Sequence, residues 1–597
     1  MIAPVAVSGT ASEPSRLPTH RRAGWVVAGV VSLAMLAPTA RRGFVLRLDM
    51  VFVPNPAINA RSLGLDGSVP RAVPMDFLVA VASRGIPAEA VQKILLFAIP
   101  LLGVLGTWRL LQGVGLVGQL GGSLAFSWNA YVYERLVLGH WSLLLGVATL
   151  PWVLAAAMDV RKRVPRSQHR LLLWLGVACV ATPTSGLLAI VVATGVLTLP
   201  GATWSWSDVR RGIATTCGVG VLFTAIWWVP GLLALTRGPA DPAGVAAFAA
   251  RADTPLGSVG SLLTFGGIWD AAAVPAGRNT WPVAVGAIAM IAVAIAGLVP
   301  AVDRWGRPVV AGLAAVAVLA AATAVAATAS SGSVLLGRLV SDSPAFGLLR
   351  DGQKLLAPWL LLVSLCFGLG VARLSRVRLR EASMSGIAFL VALLPVALLP
   401  GLAWGASARL VPVSYPADYV VVQTLLAGSA QPGDVLVLPW HLYQSWSWNR
   451  RTAVLDPMPR LLGRTVVVRD DLELEGLVVA GEDPRVPVVT EAIDRGGPLL
   501  PTLRRLGIGL VVVDLDTAGG PVSPTLLQGL PAMYLGRTLG VYQVPDPAAS
   551  GSPHGVPIIV LVDLAAAALW AFSAVSISLP QGRTLLQFSQ RRKGSAP

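Results

Sequence analysis

The sequence predicts an all-α polytopic membrane protein of about twelve transmembrane helices, each near the roughly 20 residues that cross a bilayer core. A small extracytoplasmic α/β domain is expected before the last of them. Three observations lead there. Of the 597 residues, 54% are hydrophobic and 13% charged, with mean hydropathy +0.69, whereas a soluble domain carries about 25% charge. Basic connections fall on every second turn between apolar runs, as they do on the cytoplasmic side of membrane proteins. One late stretch, 412–548, abandons the apolar pattern for short β-branched runs.

Residues 1–24 are rich in Pro, Ser and Thr, end near His20-Arg21-Arg22, and read as a disordered cytoplasmic tail. The run Trp25–Ala37 follows a basic stretch as a signal peptide would, but Ala34-Met35-Leu36-Ala37 is a poor cleavage site. The remaining topology also needs the amino terminus inside, so an uncleaved span is expected. The membrane domain is 25–405, with further spans near 91–111, 114–128, 141–159, 171–185, 187–200, 213–235, 281–301, 309–329, 355–372 and 385–405. Gly121-Gly122 and the break at Thr182-Pro183-Thr184-Ser185-Gly186 mark 114–128 and 171–200 as re-entrant or broken candidates.

This register puts the connections 161–170, 202–212, 302–308 and 373–383 in the cytoplasm. They carry Arg161 to Arg170, Arg210-Arg211, Arg304 with Arg307, and Arg373 to Arg380. Loops 41–90, 129–140, 236–280 and 330–354 face outward, as does the segment 406–555. Within that segment Asp434–Pro439, Thr465–Arg469, Gly507–Asp514 and Gly540–Val544 read as strands, with helical stretches at Ala417–Leu426 and Val489–Arg495. Strands alternating with helices predict an α/β domain with a mostly parallel sheet. A final helix, 556–578, returns to a basic cytoplasmic tail, 579–597, ending in Arg591-Arg592-Lys593. Both termini are thus expected in the cytoplasm, and the chain in the plasma membrane.

The net charge of +16 does not indicate nucleic acid. Clusters such as Arg161-Lys162-Arg163 directly follow apolar spans, where lipid headgroups hold them. Cys179, Cys217 and Cys366 are scattered, so neither a disulfide framework nor a metal quartet follows. A phosphate-binding loop, a nucleophile elbow and a voltage-sensing Arg ladder are all lacking.

Candidate chemistry concentrates outside. Asp49 lies between apolar neighbours about a dozen residues past the first span, close to the membrane surface, where a carboxylate can serve as a general base. Arg42, Arg47 and Arg71 can hold a phosphate; the plainer account is Asp49 paired with a neighbouring Arg. Asp76 is a weaker second carboxylate. Glu134 and His140 are costly near a bilayer unless paired or lining a wet cavity, so Glu134 either pairs with Arg135 or another Arg, or helps to form a substrate cavity. Arg350 and Lys354 flank the span at 355, and either hold a lipid phosphate or anchor a helix end by snorkelling. The strand 434–439 runs into Trp440, His441 and Tyr443, at the end of a sheet where ligands gather; these rings suit a glycan or simply pack in the core or at the membrane interface. His441 has no partner at metal-ligand spacing. No metal site and no cofactor is predicted, although a divalent metal is compatible with the carboxylates.

The layout resembles the GT-C class of integral-membrane glycosyltransferases, which use polyprenyl-phosphate-linked sugars. It shares their short inner tail, single span, acidic outer loop, many further spans and outer α/β domain. The stretches Leu48–Pro54, Pro70–Pro74 and Trp128–Trp141 are similar to actinobacterial arabinofuranosyl- or mannosyltransferase-like envelope proteins. The resemblance implies that Asp49 is the catalytic carboxylate; many members carry two adjacent acidic residues there, and this chain has one. It also implies transfer of a sugar from a polyprenyl-phosphate donor to an envelope glycan or lipid-linked acceptor on the outer face. Direct displacement with one base predicts inversion. The reading leans to an enzyme. The alternatives are a non-catalytic transporter or scaffold for lipid-linked saccharides, which predicts internal symmetry, and a degenerate transferase that binds without turnover.

Overall fold

The computed structural model describes residues 17–578, apart from 68–69, 235–240, 242, 343, 380–381, 475–476, 482, 519 and 550–554. Most of the expected amino-terminal tail, the basic tail at 579–597 and Arg380 lie outside the described residues.

Among the described residues, eight helices are long and apolar enough to cross a membrane: Arg22–Ala40, Ala88–Leu110, Trp141–Arg161, Trp206–Leu233, Trp281–Trp305, Arg307–Ala326, Gly352–Arg376 and Val556–Ser578. The other four expected spans are shorter or broken. Residues 114–128 give Leu116–Ser127, a 12-residue helix. It packs so closely on Gly352–Arg376 that a Cβ at Gly118 would lie 2.7 Å from the Gly368 carbonyl oxygen. Residues 171–200 give Ser167–Ala181 and Pro183–Thr198. Thr182 accepts from the Ser185 amide as the second helix's cap, and Pro183 occupies its first turn, where a missing N–H costs nothing. Residues 385–405 break into Ser385–Ala392, Leu394–Leu398 with Pro395 in its first turn, and a short turn at Pro400–Leu402. Hydropathy cannot separate these from spans, because a buried broken helix is as apolar as a continuous one.

The helix Gly352–Arg376 is the centre of the bundle, with 94% of its apolar window buried, against 17% for Val556–Ser578 at the periphery. The peripheral helix exposes Leu561, Leu564 and Phe572, as a lipid-facing surface requires.

The late segment forms a five-stranded sheet in the order Ala532–Leu535, Leu539–Gln543, Ile508–Asp514, Asp434–Leu438, Val466–Val467. The last three run parallel and the first two antiparallel, so the sheet is mixed where a mostly parallel one is predicted. Side chains alternate across it. Val435, Val437, Leu510 and Val512 pack on Tyr419 and Val422 of the helix Ala417–Gly428. Leu436, Leu438, Val511 and Val513 pack on Val486 and Val489 of the helix Arg485–Asp494. Both faces are buried, which explains the unbroken apolar reading of Ile508–Val513.

This sheet is stitched to the first loop of the bundle. Phe44–Val45 pairs antiparallel with Pro412–Val413, Leu48 bridges Val454, and the Asn59 side chain donates to the Pro459 and Leu462 carbonyls. Phe52 packs on Trp141 with ring centroids 5.0 Å apart.

Candidate functional site

Asp49 sits at the tip of a tight turn closed by Arg47 and Met50, whose main chains bond reciprocally at 3.1 and 2.8 Å. Leu48, beside it, has φ 46°, a left-handed conformation that costs a branched side chain energy and persists only where the surroundings enforce it. Here they do. The Leu48 amide donates to the Ala453 carbonyl at 2.7 Å, the Leu455 amide to the Leu48 carbonyl at 3.0 Å, and the Asp49 amide to the Leu138 carbonyl at 3.2 Å. Gly139 (φ +83°) makes this approach feasible: a Cβ there would lie 2.3 Å from the Met50 nitrogen and 2.5 Å from the Arg47 oxygen.

The Asp49 carboxylate joins the two halves of the molecule. His140 Nε2 lies 3.2 Å from Oδ2, and the Tyr443 hydroxyl donates to Oδ1 at 2.9 Å. The side chain keeps 39% of its surface open, enough for a further group to reach it. His140 Nδ1 lies 3.2 Å from Arg135 Nη1. A guanidinium only donates, so Nδ1 accepts, and the ring proton sits on Nε2 and points to Asp49. The imidazole is therefore neutral. Burial lowers its pKa below the ordinary 6.5, and the charges of Lys354 and Arg135 add to that against the pull of Asp49. Burial alone would raise Asp49. The hydrogen bonds from His140 and the Tyr443 hydroxyl, with the Lys354 charge, outweigh burial and hold the carboxyl below its ordinary 3.8.

Arg135 is fully buried and forks Asp351 at 2.5 and 2.7 Å, a bidentate charge-assisted contact. Burial opposes the Asp351 charge, but Arg135 and Lys354 hold the carboxyl well below the usual range. Lys354 Nζ is 3.6 Å from Asp351, and the Lys354 carbonyl accepts from the Tyr131 hydroxyl at 3.0 Å. One polar chain thus runs Asp351–Arg135–His140–Asp49–Tyr443, from the start of the central helix to the sheet.

Glu134 does not pair with Arg135. It points the other way and accepts from the Gln353 side chain at 2.5 Å, because adjacent helical residues project about 100° apart. Burial and the negative charge of Asp253 raise its carboxyl well above the usual value, while Asp253 is itself paired with Arg278 at 2.9 Å.

The other candidates scatter. Arg47 Nε donates to the Val137 carbonyl at 2.9 Å. Burial, then the charge of nearby Arg409, lower its pKa, so the two cations are neighbours, and among the described residues no carboxylate lies within ion-pair range of either. Arg71 is exposed, and its charge reaches Tyr443. Arg42 is exposed at the edge of the loop. Asp76 is paired with Arg460 at 3.0 Å, a tie between loop and sheet and not a free base. Arg350 lies against Gly244. Trp440 packs in the sheet core with its indole donating to Thr490 at 2.9 Å, while His441 is exposed; only Tyr443 of that trio reaches Asp49. Arg135 and Asp351 are the participants that spacing does not reveal; the available signal was a carboxylate lodged between the cations Arg350 and Lys354. Among the described residues no three His, Cys, Asp or Glu side chains gather as metal ligands.

The chain matches no known family profile and none of the curated proteins in sequence. In three dimensions it is similar to solved structures of the arabinofuranosyltransferase AftD from mycobacteria. One superposes with a TM-score of 0.55 at 18% identity, over 89% of this chain and 40% of that one. Two classes of a mutant form give 0.59 at 18% identity and 0.52 at 16%, each covering 42% of the longer protein. The chain therefore spans about two-fifths of the AftD length and shares its fold. With the eight apolar helices, this makes it a multi-pass membrane protein with the fold seen in that part of AftD.

Proposed function

We propose that the chain is a membrane glycosyltransferase that moves a sugar from a polyprenyl-phosphate donor to an envelope glycan or lipid-linked acceptor at the outer face of the plasma membrane. The observation that carries this reading is the Asp49 carboxylate, kept ionised by a neutral His140 and by Tyr443, with 39% of its side chain open at the seam between bundle and sheet. The shared fold supports it.

In the proposed reaction the acceptor hydroxyl oxygen bonds to the anomeric carbon as the bond from that carbon to the phosphate oxygen breaks. The polyprenyl phosphate leaves with the electron pair, and Asp49 takes the hydroxyl proton. A carboxylate of low basicity accepts that proton late, once the oxygen is partly bonded to carbon and far more acidic than in a free alcohol. Lys354, Arg47 and Arg71 stabilise the departing phosphate. One base and direct displacement give inversion. No cofactor is invoked, and transfer in the presence of EDTA tests for a divalent metal.

Asp49→Asn preserves the shape and keeps an acceptor oxygen for His140, with its NH2 able to donate to the Tyr443 hydroxyl, but removes the base. Membranes carrying it should lose transfer from a labelled polyprenyl-phosphate sugar at unchanged protein level. Retained transfer removes Asp49 from the mechanism, and binding of the donor without transfer by the native chain favours the scaffold or transporter alternative.

A further inference from the structure

The helix Trp141–Arg161 begins beside His140 and runs 21 residues, about 31 Å at 1.5 Å per residue, which is roughly a hydrocarbon core. At its far end, in the face opposite Asp49, lies a cavity of about 530 Å³. It opens between the end of that helix and the starts of Ser167–Ala181 and Trp206–Ala234.

Its lining has two chemistries. Leu171, Leu175 and Leu197 are buried and apolar. Arg163, Arg166 and Arg211 are the cations, and Asp208 is the sole lining carboxylate among the described residues. Asp208 is engaged by Arg163 at 3.0 Å and by the Ser205 hydroxyl at 2.8 Å, so the lining keeps a surplus of positive charge. Arg166 is fixed by donating to the Ile577 carbonyl at 3.0 Å, and Arg211 has no carboxylate within ion-pair range among the described residues. In the same wall, among the described residues, His169 Nδ1 is buried without a hydrogen-bond partner, and no side chain caps the first turn of Ser167–Ala181, whose amides add positive potential.

Surplus positive charge over an apolar floor, at the edge of a bilayer, complements a molecule with an anionic head and a hydrocarbon tail. The volume falls within the roughly 300–1,000 Å³ of small-molecule sites. The chain's own tail beyond 579 is a poor occupant, since Arg591, Arg592 and Lys593 share the sign of the rim. We propose that this cavity binds the phosphate headgroup of an anionic membrane lipid, with the first methylenes of its chains along Leu171, Leu175 and Leu197, in the leaflet opposite the Asp49 site.

Native mass spectrometry of the full chain in neutral detergent tests this, with dioleoyl phosphatidylglycerol, dioleoyl phosphatidylcholine and inorganic phosphate as separate probes. The native chain should retain phosphatidylglycerol at least about tenfold more tightly than phosphatidylcholine, a difference of about 1.4 kcal/mol. Arg166→Ala with Arg211→Ala should abolish that preference. Thr215→Trp, which fills the cavity and leaves every charge in place, should do the same and guards against an arginine variant that fails to fold. Lys162→Ala with Arg210→Ala, exposed neighbours outside the cavity, should retain it. Equal retention of both lipids, an unchanged preference in either cavity variant, equal loss in the control pair, or binding of inorganic phosphate as tight as that of the lipid would each overturn the proposal.

Discussion

At the scale of single residues, the site is decided by which proton sits where. Arg135 can only donate, so it fixes the His140 tautomer, and His140 in turn fixes Asp49 as an acceptor. The pH dependence follows. Asp49 is held below its ordinary 3.8 and His140 below its ordinary 6.5, so both keep their working forms through mild acid. The transfer rate should stay level as pH falls through 6.5, and decline only where Asp49 gains a proton. Tyr443→Phe removes a hydrogen bond to a charged acceptor, a contact typically contributing about 1.5–3 kcal/mol. The Asp49 pKa should rise, and the acidic limb of the pH–rate profile should move up with it. An unmoved limb would leave Tyr443 a packing residue. Asp49, Glu134 and His140 were legible in the sequence because charged groups beside apolar runs are expensive. Their partners were not, since the choice of Asp351 over Glu134 by Arg135 is a matter of helical azimuth and of a contact 216 residues away.

At the scale of elements, the turn 47–50 depends on a residue that contributes no side chain. Gly139→Ala would place a methyl 2.3 Å from the Met50 nitrogen at a backbone with φ +83°. Strain of this kind costs about 1–3 kcal/mol, relieved by moving the Asp49 turn. Transfer should fall by at least tenfold while detergent-solubilised protein and its melting temperature change little; full activity would show that the turn tolerates displacement. The helices themselves were legible in proportion to their continuity. Long apolar runs such as Gly352–Arg376 and Val556–Ser578 announce themselves, and Thr182-Pro183 announces a break, because a capping hydroxyl followed by a residue without an N–H is a helix start. The interruption of 385–405 is hidden, since Pro395 and Pro400 stand among apolar neighbours in the sequence. The strand expected at 540–544 is present, but its antiparallel direction is hidden for a related reason: a buried strand reads the same whichever way its neighbour runs.

At the scale of the whole molecule, the sheet is part of the Asp49 site and not a separate appendage, because the hairpin Tyr443–Gln444 with Val454–Leu455 carries both the donor to Asp49 and the bridge to Leu48. That hairpin ends at Asp456, which accepts from the Met458 amide at 2.8 Å. Nearby is Asp514, at the end of the central strand, which accepts from the Tyr419 hydroxyl at 3.4 Å. Among the described residues, each keeps one buried oxygen without a partner. Burial pushes Asp456 up to about 7, and burial with the charge of Asp456 pushes Asp514 well above its ordinary value. The folded chain therefore holds these protons more tightly than the unfolded chain, whose aspartates titrate near 3.9. Where the folded state binds more protons, stability falls as pH rises. The loss should begin near pH 4 and continue through about pH 7, where Asp456 ionises and its charge opposes that of Asp514. Asp514→Asn removes one of these charges while keeping an acceptor for Tyr419. Its melting temperature should exceed that of the native chain at pH 8 by about 2–4 °C per kcal/mol relieved, with the gain vanishing near pH 4. Because Asp456 directly follows the hairpin strand Val454–Leu455, transfer by the native chain should also weaken between pH 7 and 8.5, and the Asn variant should hold its rate there. A melting temperature independent of pH in both proteins would mean that the pair does not govern the seam, and that the seam stands on its main-chain bridges alone.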